Sequence, residues 1–204
     1  MTVEITTVAE LEGVLGTAGP VAANKGRHSL HALDVQWIAH SSMIFMATSA
    51  ADGTCDVSPK GDPAGFVRVL DAHTLAIPER PGNRRADGFH NVLANPHVGL
   101  IFLVPGRTDT FRVNGRARLV REAPYFDAMA VRGRPPALAM EVTVEEIFYH
   151  CAKAFLRSRL WEHENWAPDV LPTRAQIVHA LERTAEPLAA VERHYGPPYA
   201  DTLY

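Results

Sequence analysis

Short apolar segments separated by turns fill residues 43–144, and this spacing constrains the fold more than any other feature. Met43–Ser49 is an apolar run followed by an Asp52-Gly53 turn, a strong signal for a β-hairpin. Thr110–Arg121 alternates between apolar and polar residues, as a half-buried strand does. A doubly wound parallel sheet is disfavoured because its crossovers need long intervening helices. The pattern predicts a mainly β fold, a small antiparallel barrel with helices packed on it.

Five further strands complete the predicted barrel, for a total of about six or seven strands. They are Cys55–Ser58, Phe66–Leu70, Thr74–Ile77, Val98–Val104 and Leu138–Val144. Residues 59–65 are rich in proline and glycine and are predicted to form a loop.

Helices are predicted at both ends of the chain. Capping boxes at Thr7-Val8-Ala9-Glu10 and Thr173-Arg174-Ala175-Gln176 mark two helix starts, and Leu30–Ala39 has helical spacing. From Glu145 to Arg159 the apolar residues also recur at helical spacing, and Pro124 opens a short helix. We therefore expect a single domain over 1–204, with N-terminal helices at 1–40, the barrel at 41–144 and a C-terminal helical segment at 145–204.

Composition and charge restrict the class of protein. The chain has 204 residues and a formal charge of −3, whereas general nucleic-acid binders carry a basic excess, so no nucleic-acid partner is expected. No HxH, HExxH or His/Cys cluster has metal-ligand spacing, so no metal site is predicted. There is no signal peptide and no apolar run of about 18 residues, and the two cysteines are far apart. These features favour a cytoplasmic protein without a membrane partner.

Asn83-Arg84-Arg85 follows a Pro-Gly bend and is predicted to start a helix that ends at Asn95-Pro96. A helix N-terminus offers free N–H groups and the positive end of the helix dipole. Two arginines in a first helical turn oppose that dipole unless an anion such as phosphate is bound there. The alternative is a solvated basic turn, and the residues themselves do not decide between the two.

Three other polar segments also admit two interpretations. Lys60 follows a strand and could reach an anionic or electron-rich ligand, or it could form an ion pair with Asp62 on a surface loop. The basic stripe of Lys153 and Arg157 could border a site or be solvated. The polar face of the Thr110–Arg121 strand could be solvated or could meet a ligand or a partner subunit; it carries Arg112, Asn114, Arg116 and Arg118.

Motifs for hydrolytic or nucleotide-dependent catalysis are missing. The chain has no Gly-x-Ser-x-Gly elbow, no Walker-type phosphate loop and no GxGxxG motif after a strand. No paired carboxylates have a spacing that suggests acid–base work, so the sequence predicts no catalytic residue.

Taken in order, several motifs resemble those of the pyridoxamine 5'-phosphate oxidase-like FMN-binding split-barrel flavoproteins. The resemblance covers roughly residues 40–165, and 150–161 looks like the C-terminal helix of one bacterial subgroup. The motifs are Ser58-Pro59-Lys60-Gly61-Asp62-Pro63-Ala64-Gly65-Phe66-Val67, Pro81-Gly82-Asn83-Arg84-Arg85-Ala86-Asp87, Asn95-Pro96-His97-Val98-Gly99-Leu100-Ile101-Phe102 and Phe111-Arg112-Val113-Asn114-Gly115-Arg116-Ala117.

This resemblance implies a six-stranded antiparallel split barrel that forms a homodimer with two FMN sites at the subunit interface. The implied function is an FMN-dependent oxidoreductase that transfers a hydride between FMN and a small organic substrate or a nicotinamide. Alternatives on the same fold are a non-catalytic flavin- or haem-binding module and a deazaflavin-dependent reductase. The C-terminal Trp/Arg substrate signature of true pyridoxamine 5'-phosphate oxidases is not evident, so that substrate is not implied.

The resemblance also implies which residues hold the cofactor. Arg84 and Arg85 match the basic pair that binds the FMN phosphate, and Ser58 and Lys60 would lie near the flavin. The remaining implied cofactor residues are Asn83 at the turn, Phe66 and Val67 through their backbone, Pro78 and Glu79 beside the ribityl chain, and Thr110 and Arg112 beside or across the interface. Lys153, Arg157 and Arg159 would border the substrate side from the partner chain.

Overall fold

Seven antiparallel strands form one sheet in the computed structural model, which describes all residues 1–204. The predicted fold class, mainly β with helices, is confirmed, although the sheet has seven strands rather than six. The strand order is β2-β1-β5-β6-β7-β4-β3. The strands are β1 Met43–Ser49, β2 Cys55–Gly61, β3 Arg68–Asp71, β4 Thr74–Pro78, β5 His97–Leu103, β6 Thr110–Val120 and β7 Ala139–His150.

Seven α-helices flank the sheet, and four short 3₁₀ turns lie in the connections. The helices are α1 Val8–Leu15, α2 Pro20–Ala23, α3 Ala32–His40, α4 Asp87–Ala94, α5 Lys153–Ser158, α6 Arg174–Leu181 and α7 Leu188–His194. The 3₁₀ turns are Asp127–Met129, His163–Asn165, Pro168–Val170 and Pro197–Thr202. Both predicted capping boxes are confirmed, because Thr7 and Thr173 each accept a hydrogen bond from the third helical N–H. No helix has both the length and the apolar character needed to cross a membrane.

The β1–β2 hairpin forms at the predicted turn, where Gly53 has a φ of 87° and the Asp52 carboxylate accepts a hydrogen bond from the Thr54 N–H. Its second strand is longer than predicted, because it runs to Gly61 instead of ending at Ser58. The predicted loop at 59–65 is therefore wrong for its first three residues. Strand β2 lies at the edge of the sheet, where the missing N–H of Pro59 is tolerated.

The predicted helix over Glu145–Arg159 is wrong in its first half, because β7 continues to His150 and α5 spans only Lys153–Ser158. A β-bulge explains the error. Asn114 pairs with Glu146 and Gly115 pairs with Val144, so Glu145 is an extra residue in β7. The bulge separates the buried residues Val144 and Ile147 by three positions, a spacing that imitates a helix. The predicted end of the barrel at residue 144 accordingly moves to 150.

The helix predicted to start at Asn83 starts four residues later, at Asp87. Arg84 and Ala86 have φ values of 62° and 55°, in the left-handed region, so the chain cannot be helical there. Arg84 and Arg85 therefore precede the helix and do not lie in its first turn. The helix predicted to open at Pro124 is reduced to the 3₁₀ turn Asp127–Met129.

The main core lies on the interior face of the sheet and includes Phe102, Phe111, Leu100 and Ile147, all at most 1% exposed. Helix α4 packs on this face through Phe89 and Val92, and Gly88 allows its close approach to β1. A Cβ at Gly88 would lie 2.9 Å from the Met46 Cε atom. A separate small cluster joins α6 to α7 through Ala175, Val178 and Val191. The tight α4–β1 contact positions the start of α4 beside Asp56 in the first half of β2.

Candidate cofactor-binding site

A cavity of about 280 Å³ lies where β2, the chain after β4 and the start of α4 meet. We call it the β2–α4 cavity. It brings together six residues that the sequence assigned to a cofactor, although they come from three separate segments. These are Ser58, Lys60, Glu79, Asn83, Arg84 and Arg85; Met46, Asp87, Gly88 and Phe89 also line it.

Strand β2 supplies one wall of the β2–α4 cavity. Ser58 is opposite Met46 and Lys60 is opposite Ile44, so both side chains extend from the interior face of the sheet. The Ser58 hydroxyl donates to Asp56 Oδ2 over 2.6 Å, which leaves its lone pairs free to accept a hydrogen bond.

The Lys60 ammonium is held by two contacts inside the cavity. It forms an ion pair with Glu79, and its Nζ atom lies 4.5 Å from the centroid of the Phe89 ring. The alternative pairing of Lys60 with Asp62 is wrong, because the Asp62 side chain is 1% exposed and accepts a hydrogen bond from Arg80 Nε over 2.6 Å. Lys60 is thus a fixed donor near a neutralising carboxylate rather than a free surface charge.

The Asn83–Asp87 loop forms the opposite wall. Asn83 Oδ1 accepts a hydrogen bond from the Arg85 N–H over 3.0 Å, which shapes the turn. The N–H groups of Asp87 and Gly88, at the start of α4, have no acceptor within the chain. Successive N–H groups next to left-handed residues form concave sites for anions, and the helix dipole adds to the attraction.

The side chains of the same loop strengthen this basic character. The Arg84 side chain makes no ion pair or hydrogen bond, and the exposed Arg85 side chain bonds only to Asp87. Two guanidinium groups and two free N–H groups therefore border one side of the β2–α4 cavity. The loop can hold a phosphate or another small anion by charge-assisted hydrogen bonds.

A neighbouring cavity of about 210 Å³ lies at the end of β4 and shares Lys60 and Glu79 with the first. Pro78 and Phe66 line this extension, as the sequence suggested. Val67 lines neither cavity, since it is 3% exposed in the main core.

Thr110 and Arg112 lie away from both cavities, on the opposite face of the sheet. Arg112 is opposite Ile101 and Phe148, in a cross-strand row that also contains Phe45. Its Cζ atom lies 5.0 Å from the Phe148 ring centroid, and its buried Nε has no hydrogen-bond partner. Within one chain, these two residues cannot contact a molecule in the β2–α4 cavity.

The basic residues after β7 are also separate from the cavities. Lys153 and Arg157 lie on α5 and are exposed, as predicted for a helical stripe. Arg159 ends that helix with a φ of 54° and pairs with Glu162. None of the three lines the β2–α4 cavity or its extension.

No sequence pattern predicted the contacts that hold the back of the site. The Tyr204 hydroxyl donates to Asp62, which also bonds to Arg80. The hydrogen bond to Asp62, together with burial, raises the pKa of the Tyr204 phenol. No local pattern links Asp62 to Tyr204, because they are 142 positions apart.

Comparison with known proteins agrees with this architecture. Residues 31–151, more than half of the chain, match the family described as pyridoxamine 5'-phosphate oxidase. The chain therefore belongs to the pyridoxamine 5'-phosphate oxidase family, and the resemblance recognised in the sequence is confirmed. No curated protein matches it significantly.

Solved structures with a similar arrangement include three bacterial proteins. A putative pyridoxamine 5'-phosphate oxidase from Lactobacillus delbrueckii is 25% identical, with a TM-score of 0.46 over 60% of this chain and 95% of that one. HupZ from Group A Streptococcus is 22% identical, with a TM-score of 0.47 over 59% and 93%. An FMN-binding protein from Syntrophomonas wolfei is 11% identical, with a TM-score of 0.43 over 58% and 89%.

Proposed function

We propose that this protein is an FMN-dependent oxidoreductase that transfers a hydride between FMN and a small organic substrate or a nicotinamide. The observation that carries the proposal is the β2–α4 cavity, which combines an anion-binding loop with a fixed lysine and an aromatic ring. The absence of a nucleophile or acid–base pair agrees with it, because the redox chemistry of flavoenzymes resides in the flavin. The protein has two exposed cysteines that form no disulfide, as expected for a protein of the reducing cytoplasm.

The residues of the cavity fit FMN group by group. Arg84, Arg85 and the free N–H groups of Asp87 and Gly88 would hold the phosphate. Pro78 and Glu79 would follow the ribityl chain along the extension, with Phe66 at its wall. When bound, FMN supplies a ring that takes up a hydride at its N5 atom and gives it back.

Lys60 and Ser58 would orient the ring. The Lys60 ammonium, fixed by Glu79, would direct a donor towards the electron-rich edge of the flavin, and Ser58 would accept a hydrogen bond. The role of the protein is then to bind, orient and electrostatically tune the cofactor.

A homodimer would complete the site. The outer face of the sheet exposes apolar side chains, with Met43 36%, Phe45 38% and Val57 62% exposed. A second copy on this face would remove them from water. Thr110 and Arg112 would then contribute across the interface, and Lys153, Arg157 and Arg159 would border the substrate side of the partner's site.

The decisive experiment is the absorption spectrum and mass of the ligand that copurifies with the protein. We expect a flavin spectrum and the mass of FMN. A colourless protein that takes up no FMN on reconstitution would overturn the proposal. A Soret band would instead identify a haem-binding relative, and a deazaflavin mass would identify a reductase that uses that cofactor.

A further inference from the structure

A second, larger cavity of about 560 Å³ adjoins the β2–α4 cavity, and we call it the tail cavity. Its volume lies within the range of about 300–1,000 Å³ that is usual for pockets of small organic ligands. The other side of the tail cavity consists of the connection 134–138, which precedes β7, and Tyr204. A ligand there would lie next to whatever occupies the cofactor site, because the two cavities share Glu79, Gly82, Arg84, Ala86 and Phe89.

The charged side chains that line the tail cavity are paired, with one exception. The exception is Arg84, which in the proposed function neutralises the cofactor phosphate. With an anion bound to the Asn83–Asp87 loop, the cavity would offer no unpaired charge to a ligand, and burying an ion without a partner is strongly unfavourable. The pairs are Glu79 with Lys60, Arg80 with Asp62, and Arg134 with the α-carboxylate of Tyr204.

The rest of the lining is mainly apolar, with uncharged hydrogen-bond donors. The N–H groups of Gly82 and Ala137, two of the lining residues, have no acceptor within the chain. Donors of this kind suit a neutral acceptor such as an amide or ketone oxygen. The lining therefore favours an uncharged aromatic molecule that carries a hydrogen-bond acceptor. Its apolar and aromatic part consists of Phe89, Leu138, Tyr204, Pro81, Pro135 and Pro136.

Tyr204 is a preformed part of this wall. Its hydroxyl donates to Asp62, whose side chain is 1% exposed and is also bonded to Arg80. Its ring centroid lies 5.9 Å from the Arg80 Cζ atom and 5.3 Å from the Arg132 Cζ atom. Because these contacts fix the ring from several sides, the wall need not be ordered when a ligand binds.

We propose that the tail cavity is the substrate pocket and that it binds an uncharged aromatic molecule with a carbonyl-type acceptor. The ring of the ligand lies against Phe89, Leu138 and Tyr204, and its acceptor bonds to the N–H group of Gly82 or Ala137. The assignment of this ligand as substrate rests on the proposed oxidoreductase function, but its binding does not.

The test compares two probes that differ in charge, the neutral 2-naphthamide and the anionic 2-naphthoate. Dissociation constants for the full-length protein are measured by ligand-detected NMR in phosphate buffer, with and without FMN, so that an anion is available to the Asn83–Asp87 loop throughout. We expect 2-naphthamide to bind at least about tenfold more tightly, because the cavity offers no unpaired cation to a buried carboxylate. Equal or tighter binding of 2-naphthoate would overturn the proposal.

Substitutions of Tyr204 test where the probe binds. Tyr204→Ala removes the aromatic wall and should weaken 2-naphthamide binding about fivefold or more, whereas Tyr204→Phe keeps the ring and should stay within about twofold of the wild type. Tyr199→Ala is the matched control and should change nothing, because Tyr199 is 48% exposed and lines neither cavity. An unchanged affinity in Tyr204→Ala would show that the probe binds elsewhere and would overturn the pocket.

A parallel FMN titration separates this proposal from the proposed function. The two ligands, 2-naphthamide and FMN, should bind together without competition, and Tyr204→Ala should keep the FMN affinity of the wild type. Displacement of 2-naphthamide by FMN would overturn the pocket even if FMN binds as proposed. Binding of 2-naphthamide that depends on Tyr204 in a protein that takes up no FMN would support the pocket and reject the oxidoreductase.

Discussion

Arg84 is the residue whose backbone and side chain most clearly require an explanation. Its φ of 62° lies in the left-handed region, which costs about 1–2 kcal/mol for a residue with a Cβ. Its guanidinium has no partner, and Ala86 repeats the left-handed conformation two residues later. Strain of this kind persists where the surrounding structure imposes it and is concentrated at binding sites. A bound anion would offset both the strain and the unpaired charge.

Replacing both arginines of the loop, as Arg84→Ala with Arg85→Ala, should weaken FMN binding by a few kcal/mol. Each charged hydrogen bond to phosphate contributes about 1.5–3 kcal/mol, so the loss should be easy to measure by titrating flavin fluorescence. Arg121→Ala removes an exposed arginine outside the site and serves as the control. Equal FMN affinity in the double variant and the wild type would contradict the assignment of the loop to phosphate.

At the scale of elements, the sequence predicted those whose signals are local. The β1–β2 hairpin, the alternation of β6 and the capping box of α6 each depend on neighbouring residues, and all are present. Strand β7 was misread because its bulge depends on the register with β6, which no local window contains. The start of α4 was misplaced because Ala86 adopts a left-handed conformation that its side chain does not favour.

The β-bulge between β6 and β7 predicts that residue 115 must be glycine. A Cβ at this position would lie 2.1 Å from the Thr143 backbone oxygen, so Gly115→Ala must displace β6 from β7. We expect the free energy of unfolding to fall by at least about 1–3 kcal/mol, the usual range for overpacking, in urea denaturation.

Gly13→Ala is the matched control for this variant. A Cβ at Gly13 meets nothing within 4 Å, and the helical position favours alanine by up to about 1 kcal/mol. The control should leave stability unchanged or raise it. A Gly115→Ala protein as stable as the wild type would show that the bulge tolerates a side chain.

At the scale of the whole molecule, the sequence identified the parts of the site but not their assembly. The order of the motifs supplied the cofactor residues through family resemblance, and folding brings six of them to one cavity. The alternation of β6 predicted that Arg112 lies on the polar face of the strand, but it did not predict which residues or partner contact that face. The contact of Tyr204 with Asp62 joins residues too distant in sequence for any pattern to link.

The last prediction concerns the outer face of the sheet. A substitution that disrupts this face should weaken both dimerisation and FMN binding. Phe45→Glu puts a charge in the cross-strand row that contains Ile101, Arg112 and Phe148, directly opposite Ile101. Burying an unpaired carboxylate costs several kcal/mol, so we expect light scattering to report a dimer for the wild type and a monomer for this variant. FMN affinity should also fall, because Thr110 and Arg112 would no longer reach the partner's cavity.

Val170→Glu is the control for that experiment, because Val170 is an apolar residue that is 77% exposed in a 3₁₀ turn outside the sheet. It should leave the dimer and FMN binding intact. A wild-type protein that is monomeric yet binds FMN fully would reject the shared site, and the β2–α4 cavity would then have to hold the cofactor with residues of one chain. A Phe45→Glu monomer with unchanged FMN affinity would show that dimerisation and cofactor binding are independent. Arg112 would then act only in the subunit interface.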